Sequence, residues 1–446
     1  MKTYISSDRI LTEKGIIPAI IEIEHDKISN ILPSDYPIKE NHKVENYGNL
    51  LIIPGVVDIH VHINEPGRTE WEGFETATKA AGCGGVTTLI DMPLNSSPVT
   101  INSSNFQQKL AAAKDKLFVD CGFWGGIVPE SLPNIGEFAQ SGVLGFKSFM
   151  IHSGIDEFCH MPKDELRQAY KVLADYDLPY LLHAETDVGV SIPQQKIGSS
   201  YANYLNSRPE EMEIKAIQTL IELCAEFQVK THIVHLSTAK ALPLIATAKE
   251  KGLPLTVETC PHYLFFSSEM IPDGDPLYKC APPVRDDKNR QELISALKTG
   301  LIDTIGSDHS PAPPAVKNLV SGDLGEAWGG ISSLQWTLQI MLSLADQYQI
   351  PYSTLFQALS GKPAQVAGLA QKKGAIKENV DADFVVLDDK QSYIPTSEEI
   401  LFKHRISPYV EQKLRGKICS VFLRGNKIVD GNELCEEKLG EVIIHE

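Results

Sequence analysis

Eight apolar, strand-length runs alternate with amphipathic segments through the middle of this 446-residue chain, and that alternation restricts its fold more than any other property. The runs are LLIIPGVVDIHVHI, GVTTLIDMP, LFVDCGFWGGI, VLGFKSFMI, LPYLLHAE, VKTHIVHLS, LPLTVETCPHYL and LIDTIGSDHSP. Between them lie WEGFETATKAAG, KDELRQAYKVLADYD, EEMEIKAIQTLIELCAEFQ and RQELISALKTG, with apolar residues three and four apart, as in a helix that buries one face. A strand followed by a helix, eight times over, predicts an α/β fold, a (β/α)8 TIM-like barrel with its chemistry at the C-terminal ends of the strands. The run ISSLQWTLQIMLSLADQYQ continues the outer helical layer. Residues 1–50 and 378–446 read differently, as short alternating pieces such as IIPAIIEIEHDKISNIL, DADFVVLDD and KICSVFLRGNKIVDG between turn residues. The expected organisation is a barrel over 51–377 and a small β-sandwich domain formed by both termini.

Composition removes several classes of function. The formal charge of −17 comes from acidic residues spread along the chain, which argues against nucleic acid and anionic membranes as partners. No apolar run approaches the roughly 20 residues of a membrane helix. The opening MKTYISSDRILTEKG lacks the apolar core of a secretory signal. Eight cysteines occur without a CxxC pair, which fits a reducing cytosol better than a disulfide framework or a zinc ribbon.

The strand ends carry the chemistry. His60 and His62 are separated by one residue, so on a strand they point the same way, about 7 Å apart at Cα. Lys147 lies in the fourth run, His183 closes the fifth, His235 the sixth, and Asp308 ends the eighth. Taken singly, a strand-end His or Asp often caps the next helix. Six nitrogen and oxygen donors around one barrel mouth suffice for two metal ions sharing a water. The types suit zinc, and cobalt, manganese or iron fit the same set. Lys147 is flanked by apolar residues, where an ammonium faces severe desolvation. Two readings follow: a structural lysine whose stem is buried while its head reaches the surface, or a free amine that reacts with carbon dioxide to give a carbamate, an anionic ligand able to bridge two metals.

HVHINEPGR, the lysine of GFKSFM, LLHAE, HIVHLS and GSDHSP resemble the cyclic amidohydrolase branch of the amidohydrolase superfamily. Within it INEPGRTEWEGFETATKAA, DMPLNSSP, SRPEEMEIKAI, CAPPVRDDKNRQEL, SDHSPAPPAVK and AWGGISSLQ are similar to the allantoinases, over nearly the whole chain. The resemblance implies His60 and His62 on one metal, His183 and His235 on the other, and carbamylated Lys147 bridging both together with hydroxide. It makes Asp308 a ligand of the first metal and the acid/base. His232 falls outside the ligand position, and His262 and His309 take supporting or packing roles. Dihydroorotases carry an arginine where this chain has Asn64, and hydantoinases a tyrosine where it has His152. The implied reaction is hydrolysis of the hydantoin amide of allantoin to allantoate, in purine catabolism. For this neutral substrate the expected contacts are Asn95, backbone groups at Cys280, Ala281 and Gly330, and His152 as donor to the oxyanion. Glu65 and Arg68 are expected to form a loop-fixing salt bridge. The resemblance further implies a homotetramer, and the cysteine usage a cytoplasmic location. Two alternatives are a related ring, hydantoin, dihydropyrimidine or dihydroorotate, and a metal-free scaffold, which the retention of all six donors disfavours.

Overall fold

The computed structural model describes residues 2–39, 42, 44–189, 196–431 and 433–445. Its centre is a parallel barrel. The first strand, Val56–Val61, pairs with Val86–Asp91, which pairs in turn with Asp120–Phe123. That third strand passes Trp124 and resumes at Gly125–Gly126 beside Phe146–Phe149. Tyr180–His183, Thr231–Ile233, Leu255–Thr259 and Thr304–Ile305 follow in order. A parallel bridge from Val61 to His309 closes the ring, with His62 N donating to His309 O at 2.9 Å. The strands are buried on both faces, which is why their sequences are nearly continuous apolar runs. The break in the third strand has a clear cause. Trp124 is wholly buried and its indole N–H donates to Ile59 O at 2.8 Å, inside the barrel wall.

The outer helices bury the faces that the sequence spacing selected: Leu166, Ala169, Tyr170 and Leu173 on Lys163–Leu173, and Ala216, Ile217, Leu220 and Leu223 on Glu211–Phe227. Asp286 caps Asp287–Lys298 by accepting from Asn289 N at 2.8 Å. Thr337–Tyr348, from the last helical run, lies between the barrel and the terminal sheet. There Arg415 N donates to Ser343 Oγ at 2.8 Å, and a Cβ at Gly416 would sit 2.5 Å from Leu342.

Both termini build one continuous sheet of nine strands among the described residues. Phe384–Tyr393 and Leu414–Leu423 from the C-terminal side join Lys2–Thr12 and Gly15–Glu24 from the N-terminal side through Leu51–Pro54. Ile5, Ile21, Ile28, Ile52, Phe384 and Phe422 share a core, and Tyr47 meets Phe422 edge-on at 6.4 Å. The run LLIIPGVVDIHVHI is therefore two strands in two sheets, and the terminal sheet extends past the expected boundary at 50 to Pro54. The two strands meet at Pro54–Gly55, where Pro54 offers no N–H and a Cβ at Gly55 would lie 2.2 Å from Thr87 Oγ1, so only glycine fits beside Thr87. Lys373 ties the two parts together. Its buried ammonium meets Asp120 of the barrel and Asp383 at 2.6 Å each, and Asp381 at 2.9 Å. No helix among the described residues is long and apolar enough to cross a membrane.

Candidate metal centre at the barrel mouth

Every donor expected from the strand ends lies at one end of this barrel. His60 Nε2 and His62 Nε2 stand 3.2 and 3.5 Å from Asp308 Oδ1, and one ligand atom from each of the three residues falls within 4.8 Å of the others. The His235 ring lies 5.3 Å from that of His60 and 4.5 Å from that of His183. His183 stacks on Phe149 at 4.4 Å, its register partner on the neighbouring strand. Lys147, two residues before Phe149, holds its amine 5.0 Å from that ring. His235 and Asp308 sit just beyond their strands with φ of 41° and 45°, in the left-handed region that non-glycine residues enter rarely and mostly at functional turns.

Burial governs the charges. It lowers the pKa of His62 and His183, and that of His235 more strongly, so these rings are neutral donors. It also pushes the Lys147 amine down to about 8. Burial alone would raise Asp308, but His60, His62 and His235 outweigh it and hold the carboxyl well below the ordinary range.

Two buried carboxylates behind the rings were not anticipated from the sequence. His60 Nδ1 donates to Glu258 Oε1 at 2.5 Å, and His183 Nε2 donates to Glu185 Oε2 at 2.7 Å. Each carboxylate fixes a tautomer and leaves the other ring nitrogen as a lone-pair donor, the usual support of a metal-bound imidazole. The donor set therefore suits divalent cations. Arg208 anchors Glu185 through two bonds, Nε to Oε1 at 3.0 Å and Nη2 to Oε2 at 2.5 Å. The signals were present: Glu185 stands two residues after His183 in LLHAE, just past the end of the strand, and Glu258 two before Cys260 in VETC. His232 stays in the wall, with Nδ1 2.7 Å from Thr256 Oγ1.

The mouth opens into a cavity of about 1020 Å³. Asn95, His152, Ala281 and Gly330 line it, together with His60, His62, His183, His235 and Asp308. Asn95 has φ 56°, and its buried Oδ1 has no hydrogen-bond partner among the described residues. His152 stands on the rim with 59% of its side chain exposed, 3.3 Å from Asp156. Cys280 lies behind the wall, where its carbonyl accepts from Tyr204 OH at 2.6 Å. At Gly330 the N–H donates to Lys279 O at 2.7 Å and the carbonyl accepts from Lys317 Nζ at 2.6 Å. A Cβ there would lie 2.4 Å from Ser310 O, so only glycine fits. The expected Glu65–Arg68 salt bridge is absent among the described residues. Glu65 pairs with Lys116, while Arg68 binds Glu157 at 2.8 Å and Asn95 O at 2.7 Å. Each takes its partner from a distant part of the chain, and the Arg68 bond still fixes Asn95.

This barrel, with its donors at the strand ends, belongs to the amidohydrolase family, whose model matches residues 51–428. Among individual proteins, the chain is 42% identical to the probable allantoinase of Oryza sativa subsp. japonica, over 99% of this chain and 90% of that protein. It is 39% identical to the allantoinase of Streptomyces avermitilis, over 98% of both. Among solved structures, the L-hydantoinase (dihydropyrimidinase) from Arthrobacter aurescens matches with a TM-score of 0.93 at 28% identity, covering 99% of both chains.

Arg208 offers a test of the support beneath His183. Burial raises the Glu185 pKa, but Arg208 and His183 outweigh it and depress it below the ordinary 4.5. The pair's stabilisation is therefore complete above that value and lost as pH falls below it. Arg208→Met leaves a buried carboxylate without its cation and is expected to cost about 3 kcal/mol near neutral pH. Denaturant melts of the two proteins at neutral pH and at pH values below 4.5 check this, the gap narrowing as acid is added. A gap that is constant with pH would show that the ion pair is not its source.

Proposed function

We propose that this chain hydrolyses the ring amide of allantoin to allantoate. The observation that carries the reading is the pairing of six convergent donors with whole-length identity of 39–42% to proteins named allantoinase. In this reading His60, His62 and Asp308 would hold one divalent metal and His183 and His235 a second, with Lys147 as its carbamate a ligand available to both, and zinc is the best match to the ligand types. Those ions would supply Lewis-acid activation of the attacking water and of the ring carbonyl. Asp308 takes the proton of that water as it adds to the carbonyl carbon, then gives it to the ring nitrogen as the carbon–nitrogen bond breaks. One water is consumed and one open-chain product forms, carrying the freed nitrogen as an NH2 group and a new carboxyl group that releases its remaining proton to solvent as it becomes a carboxylate. Asn95 offers its unpartnered amide oxygen to a substrate N–H, and His152 at the rim donates to the oxyanion. Backbone groups at Ala281 and Gly330 border the ring. Cys280 acts through its main chain behind them. The cytoplasmic location, the homotetramer and the division into a barrel and a terminal β-domain belong to the same reading.

The deciding assay follows ring opening by purified protein, with and without added divalent metal, on allantoin, hydantoin, dihydrouracil and dihydroorotate. Metal-dependent turnover confined to allantoin is expected. Preferential turnover of another ring would overturn the substrate assignment.

Lys147→Ala is expected to lower the bound metal below one equivalent by elemental analysis, with partial rescue of activity by a short carboxylic acid. Full metal and unchanged turnover would remove its bridging role. Asp308→Asn is expected to keep the fold, by circular dichroism, and to lose at least about a hundredfold in kcat, the lower end for general acid–base catalysis. Near-normal turnover would place the proton transfer elsewhere.

A further inference from the structure

We infer that Glu72 and His309 form a positioning pair that sets Asp308 from behind, completed by the C-terminal segment 400–404. The inference rests on the reading in which Asp308 is a metal ligand and proton carrier. His309 follows Asp308 directly and is wholly buried. Its carbonyl closes the barrel by accepting from His62 N, while its imidazole faces away from the cavity that Asp308 lines. Ring Nδ1 accepts from Ser333 N at 3.2 Å and from Leu334 N at 3.4 Å. A nitrogen that accepts two amide protons carries none, so the ring proton resides on Nε2, which faces Glu72 Oε2 at 3.4 Å.

Glu72 is itself wholly buried, and no cation pairs with it among the described residues. Its oxygens accept from the Thr76 hydroxyl, from Gly73 N at 3.3 Å, and from Lys403 N at 3.2 and 3.1 Å. The Lys403 bond comes from beyond the barrel. On either side of it, the Phe402 ring meets His309 edge-on at 5.1 Å, and His404 Nε2 donates to Glu70 O at 2.8 Å. The imidazole is thus gripped on three sides, by the Ser333–Leu334 amides, the Glu72 carboxylate and the Phe402 ring. That grip has a purpose at the neighbouring residue. Asp308 holds φ 45°, a conformation that costs energy unless its surroundings impose it. His309 touches neither the cavity nor the metal-ligand atoms, so it positions Asp308 rather than reacting.

The test is a double-mutant cycle on the full-length, metal-loaded protein with Glu72→Gln, His309→Gln and the double variant, assayed on whichever ring the wild type opens. Each single variant is expected to lower kcat about tenfold, as lost support of a ligand does, while KM stays within about twofold and the metal content is unchanged. The double variant should fall no further than the worse single one, because the two residues act as a unit. Losses that multiply, a single variant with wild-type kcat, or metal lost in step with activity would each overturn the pair. Should His309→Gln not fold, Glu72→Gln decides alone by the same kcat, KM and metal readings. The cobalt-substituted protein gives a reading independent of turnover. Its visible absorption should shift in Glu72→Gln if Asp308 approaches the ion differently, and an unchanged spectrum would overturn the proposal even if no tested ring is opened.

Discussion

The hydrogen bond from His60 Nδ1 to Glu258 holds the mouth of this barrel in place. Glu258 comes from the seventh strand and grips a ring from the first, while the same oxygen accepts from His235 N after the sixth at 3.2 Å. One buried carboxylate thus couples three staves of the barrel to two of the donor residues. It stays ionised there: burial opposes this, but the surrounding His60 and His232 rings hold its pKa at about 2. The eighth strand must pass close beside it. A Cβ at Gly306 would lie 2.4 Å from Glu258 Oε2 and 2.7 Å from His60 Cβ, which accounts for the glycine of GSDHSP. A charge of this kind, buried and held through one oxygen by groups from two other strands, sets geometry at a cost in desolvation that apolar packing elsewhere must offset.

How much of this the sequence disclosed depended on whether a residue works through its local pattern or through distant partners. The barrel strands and the donors at their ends follow from apolar runs and a two-residue alternation, both local. His60 and His62 are legible for that reason, as is Lys147, a lone cation between apolar neighbours. Glu258 and Glu185 sit in equally short motifs, yet each is defined by what it touches: Glu258 meets His60 from 198 residues away, and Arg208 reaches Glu185 from across a helix. Glu72 is harder still, since the partner that ties it to the C-terminal segment is a backbone N–H of residue 403, which no side-chain pattern marks. The division of LLIIPGVVDIHVHI was also hidden, because a continuous apolar run does not say which of two sheets each half joins. The proline and glycine at its centre were the visible sign.

Lys147 shows how burial and chemistry are joined. Its amine has no hydrogen-bond partner among the described residues and rests against the Phe149 ring. An ammonium held there loses most of its hydration, and burial already brings its pKa to about 8. The neutral rings around it have the same origin, since dry surroundings lower His62, His183 and His235. One physical cause therefore makes three imidazoles neutral lone-pair donors and draws the Lys147 amine towards its neutral, nucleophilic form, leaving Asp308 as the anion among them. A pocket with that balance attracts divalent cations.

Choice of ring lies outside this framework, because barrels of nearly the same backbone serve different rings. The position at which dihydroorotases carry an arginine is Asn64 here, and it is sealed: fully buried, at φ 66°, its amide directed to Pro311 O at 3.4 Å. Cations that do border the cavity are spoken for. Arg208 is bound to Glu185, and Lys279 donates to Ala327 O at 2.5 Å beside the Tyr204 ring. Burial further lowers the Lys279 pKa to about 8, which weakens it as a fixed charge. An anionic ring would enter such a site without the bidentate partner that its carboxylate requires. A neutral ring loses nothing by that absence and can use the uncharged groups that remain, chief among them the unpartnered oxygen of Asn95.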